Sequence, residues 1–206
     1  MSGEVLLEAD RVSLSFGGLR AVDEVSLALE RGMLHAVIGT NGAGKSTLIN
    51  LLSGELRASA GRVSLRGQDV TAWSQPRRAR AGLGRSYQRN TIFPEFTVFE
   101  NCRLSAQARR PRPWDWLTPA ASCPFASDAA TRAIGRAGLD EVARRPAGTL
   151  SHGQKRQLEI AMCLATGPRV LVLDEPLAGM GAEESERMLS LLEGLNGGTL
   201  LDLALS

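Results

Sequence analysis

Residues 37–47 read VIGTNGAGKST, an apolar run that passes directly into glycines and a lysine. Gly39, Gly42, Gly44, Lys45 and Ser46 fill the pattern G-x-x-x-x-G-K-[ST], with a strand-like run before it and a helix-like run after it. No other stretch restricts the fold as tightly. A loop that turns its backbone N–H groups onto phosphate oxygens needs torsions that only glycine adopts at several positions. The helix it opens then aims unpaired N–H groups at the same anion. The whole loop, Gly39, Thr40, Asn41, Gly42, Ala43, Gly44, Lys45, Ser46 and Thr47, is the candidate phosphate cradle. Lys45 is placed to reach the β- and γ-phosphates of a nucleoside triphosphate, and the Ser46 hydroxyl to ligate Mg²⁺. A glycine turn with a chance lysine is the plain alternative, and the flanking strand and helix argue against it.

Charge and cysteine usage narrow the partners. The formal net charge is +2 over 206 residues, which makes no electrostatic case for nucleic acid or an anionic membrane as the main partner. The basic residues are almost all arginine, and Lys45 and Lys155 are the only lysines. Cys102, Cys123 and Cys163 are odd in number and widely spaced, so neither a disulfide framework nor a metal site is expected, and a reducing cytoplasm fits. The opening MSGEVLLEAD carries no signal-peptide pattern, and no apolar run approaches the roughly 18–20 residues that span a bilayer.

The hydrophobic pattern predicts strands at 5–16, 25–30, 33–39, 61–67, 169–176 and 199–206. Helices are expected from Lys45 to a stop at Gly54, at 76–81, 98–108, 128–144, 151–166 and 182–194. Residues 109–127, rich in Pro, Ala and Ser and holding Trp114 and Trp116, read as a loop. In RVLVLDEP the apolar run marks a strand buried on both faces, and it ends in two carboxylates. Asp174 is placed to hold the Mg²⁺, directly or through water, and Glu175 to polarise the water that attacks the γ-phosphate. A strand end meeting solvent is the bland alternative.

Residues 150–161, LSHGQKRQLEIA, decide between the many classes of phosphate-loop protein. They resemble the signature of the ATP-binding cassette family, commonest as LSGGQ, with His152 in place of the first glycine. The resemblance implies an α/β fold of the cassette ATPase type: a mixed or parallel core sheet, an antiparallel β subdomain and a helical subdomain at about 89–167, all in one domain over 1–206. It implies ATP and Mg²⁺ as cofactors. It also implies that Ser151, His152, Gly153 and Gln154 face the γ-phosphate of ATP on a second ATPase subunit, so that two chains sandwich two nucleotides. Phe16 in LSFGG falls where the family sets an aromatic ring against adenine; a core phenylalanine is the alternative. Gln88 in GRSYQRN matches the glutamine that contacts Mg²⁺ or water and senses the membrane partner.

Residues 89–107 and 175–185 further resemble the ATPase subunits of branched-chain amino acid importers. That resemblance implies membrane permease subunits as partners, a solute-binding protein outside acting indirectly, and a place on the cytoplasmic face of the inner membrane. Phe93, Phe96 and Phe99 lie where the family docks a permease helix, with at least one of them expected in the core. The family also carries a switch histidine after its last strand, which would fall near Leu205; the chain's histidines are His35 and His152. The chain therefore resembles a cassette cut short, and the expectation is Mg-ATP binding with turnover slowed by roughly 10²–10³. The alternatives are an ATP-binding module with little hydrolysis and a soluble cassette ATPase of translation or DNA repair.

Overall fold

The computed structural model describes residues 4–32, 34–40, 42–86, 92–108, 123–195 and 199–203, the last group by its backbone. The chain divides into two compact units. One comprises Met1–Arg85, Arg169–Ala178 and Leu195–Ser206, the other Ser86–Pro168 and Gly179–Gly194.

Among the described residues the first unit holds two four-stranded sheets. Strands β1 (Val5–Phe16) and β2 (Leu19–Glu30) form a long hairpin, and β4 (Ala60–Leu65) and β5 (Gln68–Asp69) extend it in the order β2-β1-β4-β5. The pairings are antiparallel. Leu7, Ala9, Val12 and Leu14 are buried although Ala9 and Val12 are three apart. A β-bulge between them supplies the extra residue, with Arg11 at φ 45°, and returns Val12 to the inner face.

The second sheet is parallel, with the order β3-β8-β7-β6: β3 (Leu34–Ala36), β6 (Leu83–Arg85), β7 (Val170–Asp174) and β8 (Thr199–Leu203). Every residue of β7 is buried, as its unbroken Val-Leu-Val-Leu run predicts. Helices α1 (Lys45–Ser53) and α2 (Gln75–Arg80) complete this unit. Ile49 and Leu52 of α1 join Leu7, Leu29, Val63, Val170 and Val172 in one apolar core. Gly54 ends α1 in the left-handed region at φ 82°. Beyond it the buried Arg78 donates to the carbonyls of Leu51 and Leu52, both at 2.8 Å, and to that of Thr71 at 3.0 Å.

The second unit is helical: α3 (Val98–Ala108), α4 (Pro124–Arg136), α5 (His152–Ala165) and α6 (Ala182–Gly194). Its core is separate and rich in small residues, with Cys102 and Ala106 on α3, Ala126, Ala130 and Ala133 on α4, and Leu158, Ala161 and Ala165 on α5.

Several expectations need correction. The loop expected through Ser127 ends earlier, because Pro124 stands in the first turn of α4, where its fixed φ favours a helix start. The helix expected over 128–144 stops at Arg136; Gly138 at φ 67° breaks it, and a 3-10 turn at Asp140–Val142 follows. Strand β6, three residues with Gly84 at its centre, is too short for periodicity to reveal. The strand expected over 169–176 ends at Asp174, since Glu175 turns to φ 52° and leaves the sheet. Residues 109–122, with Trp114 and Trp116, lie outside the described residues.

Candidate functional site

The phosphate loop joins β3 to α1, so it stands between the parallel sheet and the first helix. Gly44 is the N-cap of α1 at φ 84°, a torsion costly to any residue with a β-carbon. A β-carbon there would also stand 2.2 Å from the Ala21 carbonyl oxygen. The loop is thus seated directly on the backbone of β2, a contact that no motif in the sequence announces.

As N-cap, Gly44 offers no side-chain acceptor, and the first turn of α1 carries no carboxylate. The N–H groups of that turn are therefore left to an external anion. The Lys45 ammonium donates to the Gly39 carbonyl and to that of Thr40 at 3.0 Å, which holds the cation against the loop. Ala43 N–H donates to Thr40 O at 3.1 Å and closes the turn. Ser46 is exposed at the mouth of the loop, and Thr47 is half-buried on the second residue after Lys45.

Asp174, 5% exposed, ends β7 in the same unit. Burial pushes its carboxyl above the ordinary aspartate value. Arg85 opposes the shift, and the neighbouring Glu175 adds to it. The Arg85 guanidinium, at the end of β6, lies 4.0 Å from Asp174 Oδ2. A half-buried Glu175 follows, and its carbonyl accepts from Ala178 N–H at 3.2 Å as the chain turns away. Phe16 is 53% exposed and pairs with Leu19 at the tip of the β1–β2 hairpin, two residues from the Ala21 contact with Gly44. Its ring is exposed and not part of the core.

In the helical unit, Ser151 caps α5 through a complete capping box. Gln154 N–H donates to Ser151 Oγ at 3.2 Å, and Ser151 N–H to Gln154 Oε1 at 3.1 Å. The site expected to be open to an anion is thus partly satisfied from within the chain. A β-carbon on Gly153 would meet Glu184 Oε1 at 2.9 Å, so a carboxylate of α6 adjoins this helix start. His152 opens α5, and a β-carbon on Gly179 would stand 3.6 Å from its Nε2.

The same unit presents Phe93 and Phe96, 48% and 43% exposed, with ring centroids 5.4 Å apart. Phe99 packs against the helical core, as expected of one of the three. Asn101, fully buried, shapes the segment before α3: its Oδ1 accepts from Phe93 N–H at 2.8 Å and its Nδ2 donates to Phe93 O at 3.0 Å and Thr97 O at 2.9 Å. Asn41, Gln88 and the position near Leu205 lie outside the described residues.

These groups fit a nucleotide and its metal. The first unit offers an uncapped helix start, a tethered ammonium and a buried carboxylate, which answer an anion and a cation respectively. Among the described residues no group of three or more His, Cys, Asp or Glu side chains could hold a metal alone. Ser46 and Asp174 are the residues that would hold a Mg²⁺, an ion that commonly takes one or two protein ligands beside substrate phosphates. No helix among the described residues is long and apolar enough to cross a membrane.

Comparison with known proteins agrees. The family model described as ABC transporter matches residues 22–178, which hold the phosphate loop, the signature and the acidic pair. The high-affinity branched-chain amino acid transport ATP-binding protein BraF of Pseudomonas aeruginosa is 36% identical over 197 residues, covering 92% of this chain and 76% of BraF. LivG of Escherichia coli K12, named for the same transport, is 37% identical over 195 residues with the same coverage. The ADP conformation of MJ1267, an ATP-binding cassette of an ABC transporter, superposes with a TM-score of 0.86 at 29% identity, covering 97% of this chain and 81% of that one. Loop, signature, acidic pair and two-unit fold together make this chain a member of the ABC transporter family, as an ATP-binding cassette ATPase.

Proposed function

We propose that the chain is the ATP-hydrolysing subunit of an importer of branched-chain amino acids, acting as one of two cassettes beneath membrane permease subunits on the cytoplasmic face of the inner membrane. The observation that carries it is the seating of an uncapped helix start and its lysine on the backbone of β2, in the unit that also buries Asp174. Relatives named as transport ATP-binding proteins align over 92% of the chain, which supports transport over a binding-only module.

In this reading the loop N–H groups and Lys45 grip the β- and γ-phosphates, and Phe16 stacks on adenine. Ser46 and Asp174 would hold Mg²⁺, which would supply positive charge to offset the negative charge of the phosphoryl oxygens. Glu175 accepts hydrogen bonds from the attacking water and orients it in line with the γ-phosphate. Gln88 contacts the metal or the water and carries the signal to the permease. Ser151, His152, Gly153 and Gln154 close on the γ-phosphate of the second subunit. The exposed Phe93 and Phe96 are the anchors for a permease helix, where large apolar side chains supply most of the docking energy. A solute-binding protein delivers the amino acid on the far side.

The test is steady-state phosphate release by the purified chain with Mg-ATP, beside nucleotide binding on the same sample. Release that Glu175→Gln abolishes while binding persists is the expected result. Binding without release above that variant would leave only the nucleotide-holding part of the reading. Uptake of labelled leucine, set against ribose and urea, in cells with and without the chain and its permease tests the solute.

A further inference from the structure

Arg85 is joined to more of the first unit than any motif explains. It is the last residue of β6, paired in register with Val172, two residues before Asp174. Its side chain is 10% exposed. One guanidinium nitrogen, Nη1, donates to Ser53 Oγ at 2.7 Å and Glu55 Oε2 at 2.6 Å. The other, Nη2, donates to Asn50 Oδ1 at 2.6 Å and stands 4.0 Å from Asp174 Oδ2. Asn50 and Ser53 belong to α1, the helix that begins with Lys45 and Ser46.

A single planar fork thus links the far end of the phosphate-loop helix to the strand that presents Asp174. The 2.6–2.7 Å bonds are short and charge-assisted, and they fix the guanidinium in place. At 4.0 Å the approach to Asp174 is longer than a hydrogen bond and acts through charge. A lysine has one point charge in place of the fork, so it cannot hold Asn50, Ser53 and Asp174 together.

We propose that Arg85 is a positioning residue of the Mg-nucleotide site: by tying α1 to the Asp174 carboxylate it sets the spacing between Ser46 and Asp174, the two groups offered to the metal. This rests on the nucleotide reading above. The phosphate grip of the loop itself does not pass through Arg85. Metal and nucleotide affinity therefore separate when Arg85 is changed.

The experiment measures binding of a fluorescent ATP analogue to the full chain in EDTA and across a Mg²⁺ titration, with thermal unfolding of each sample. Arg85→Lys and Asn50→Ala are the variants, and Arg31→Gln, which breaks an exposed ion pair with Glu4 that does not touch the fork, is the control. In Arg85→Lys, affinity without metal is expected to stay within about 2-fold of the wild type. The Mg²⁺ concentration for half-maximal effect is expected to rise about 10–100-fold, the usual cost of disturbing a residue that orients a ligand. Asn50→Ala is expected to shift the same quantity in the same direction, and Arg31→Gln to leave it unchanged. A wild type that gains nothing from Mg²⁺ overturns the nucleotide reading and the proposal with it. A wild type that responds to Mg²⁺, beside variants that lose affinity equally with and without metal or not at all, overturns the Arg85 assignment alone. If Arg85→Lys fails to fold, an unchanged Mg²⁺ midpoint in Asn50→Ala has the same force.

Discussion

Replacing Gly44 with alanine would press a methyl group to 2.2 Å from the Ala21 carbonyl oxygen at a φ of 84°. Neither partner can move without shifting β2 or α1. Gly44→Ala is expected to cost about 1–3 kcal/mol in urea unfolding and to weaken ATP binding in parallel. Asp174 makes the opposite bargain. Its pKa is raised by burial, so the folded state holds the carboxyl proton more tightly than the unfolded chain does. That contribution to stability is fully present below the ordinary value of 3.8 and is lost as pH rises through the higher folded value. Asp174→Asn is therefore expected to raise the thermal unfolding midpoint at neutral pH while abolishing the response to Mg²⁺. The gap between variant and wild type should close as pH falls through the carboxylate range, and a gap independent of pH would contradict the burial argument. The glycine and the two carboxylates could be read from motif spacing. The Ala21 contact and the Arg85 fork could not, because each joins residues far apart in the chain.

Helices α1 and α5 are both named by motifs, yet their ends are managed differently. The start of α1 has no cap of its own, while α5 carries its Ser151–Gln154 capping box. Ser151→Ala is expected to cost about 1 kcal/mol in unfolding, because the Gln154 N–H loses its acceptor. At the other end of α1, Arg78 supplies two hydrogen bonds to carbonyls that the helix cannot satisfy itself. Burial lowers the Arg78 pKa to about 10, which keeps it cationic at neutral pH. Arg78→Met is expected to cost about 3 kcal/mol by leaving those carbonyls buried and unpaired. An unfolding midpoint unchanged in this variant would mean that water replaces the guanidinium. The helix over 151–166 was legible in the sequence, while its capping box is a finding of the structure. Arg78 was not legible, since an arginine on a short helix reads as a solvated face until the fold turns it inward.

The two units bury separate cores, one of β1, β2, β4, α1 and β7 residues and one of α3, α4 and α5 residues. Truncating a side chain in one should loosen that unit first. Leu158→Ala in α5 is expected to cost about 2–5 kcal/mol and to speed hydrogen exchange in α3, α4 and α5 more than in β7. Equal acceleration in β7 would show one cooperative unit. At the surface, the double change Phe93→Glu and Phe96→Glu removes the apolar anchors of the proposed permease contact. It should abolish co-purification with the permease and leave nucleotide binding intact, since the rings are exposed and lie in the helical unit.

The phosphate loop, the acidic pair, the signature helix and the family were determined by residues close together in the sequence. The loop and the acidic pair rest on local chemistry, glycine torsions and a run of apolar residues ending in carboxylates, and the signature and family on the resemblance of residues 150–161 to a known motif. Tertiary structure decided what those pieces rest on. The seat of Gly44 on Ala21, the tie from Arg85 to Asn50 and Asp174, the burial of Arg78 and the pinning of the Phe93–Thr97 segment by Asn101 all depend on contacts between distant residues. No hydrophobic period or short motif records such contacts, because they exist only once the chain has folded back on itself.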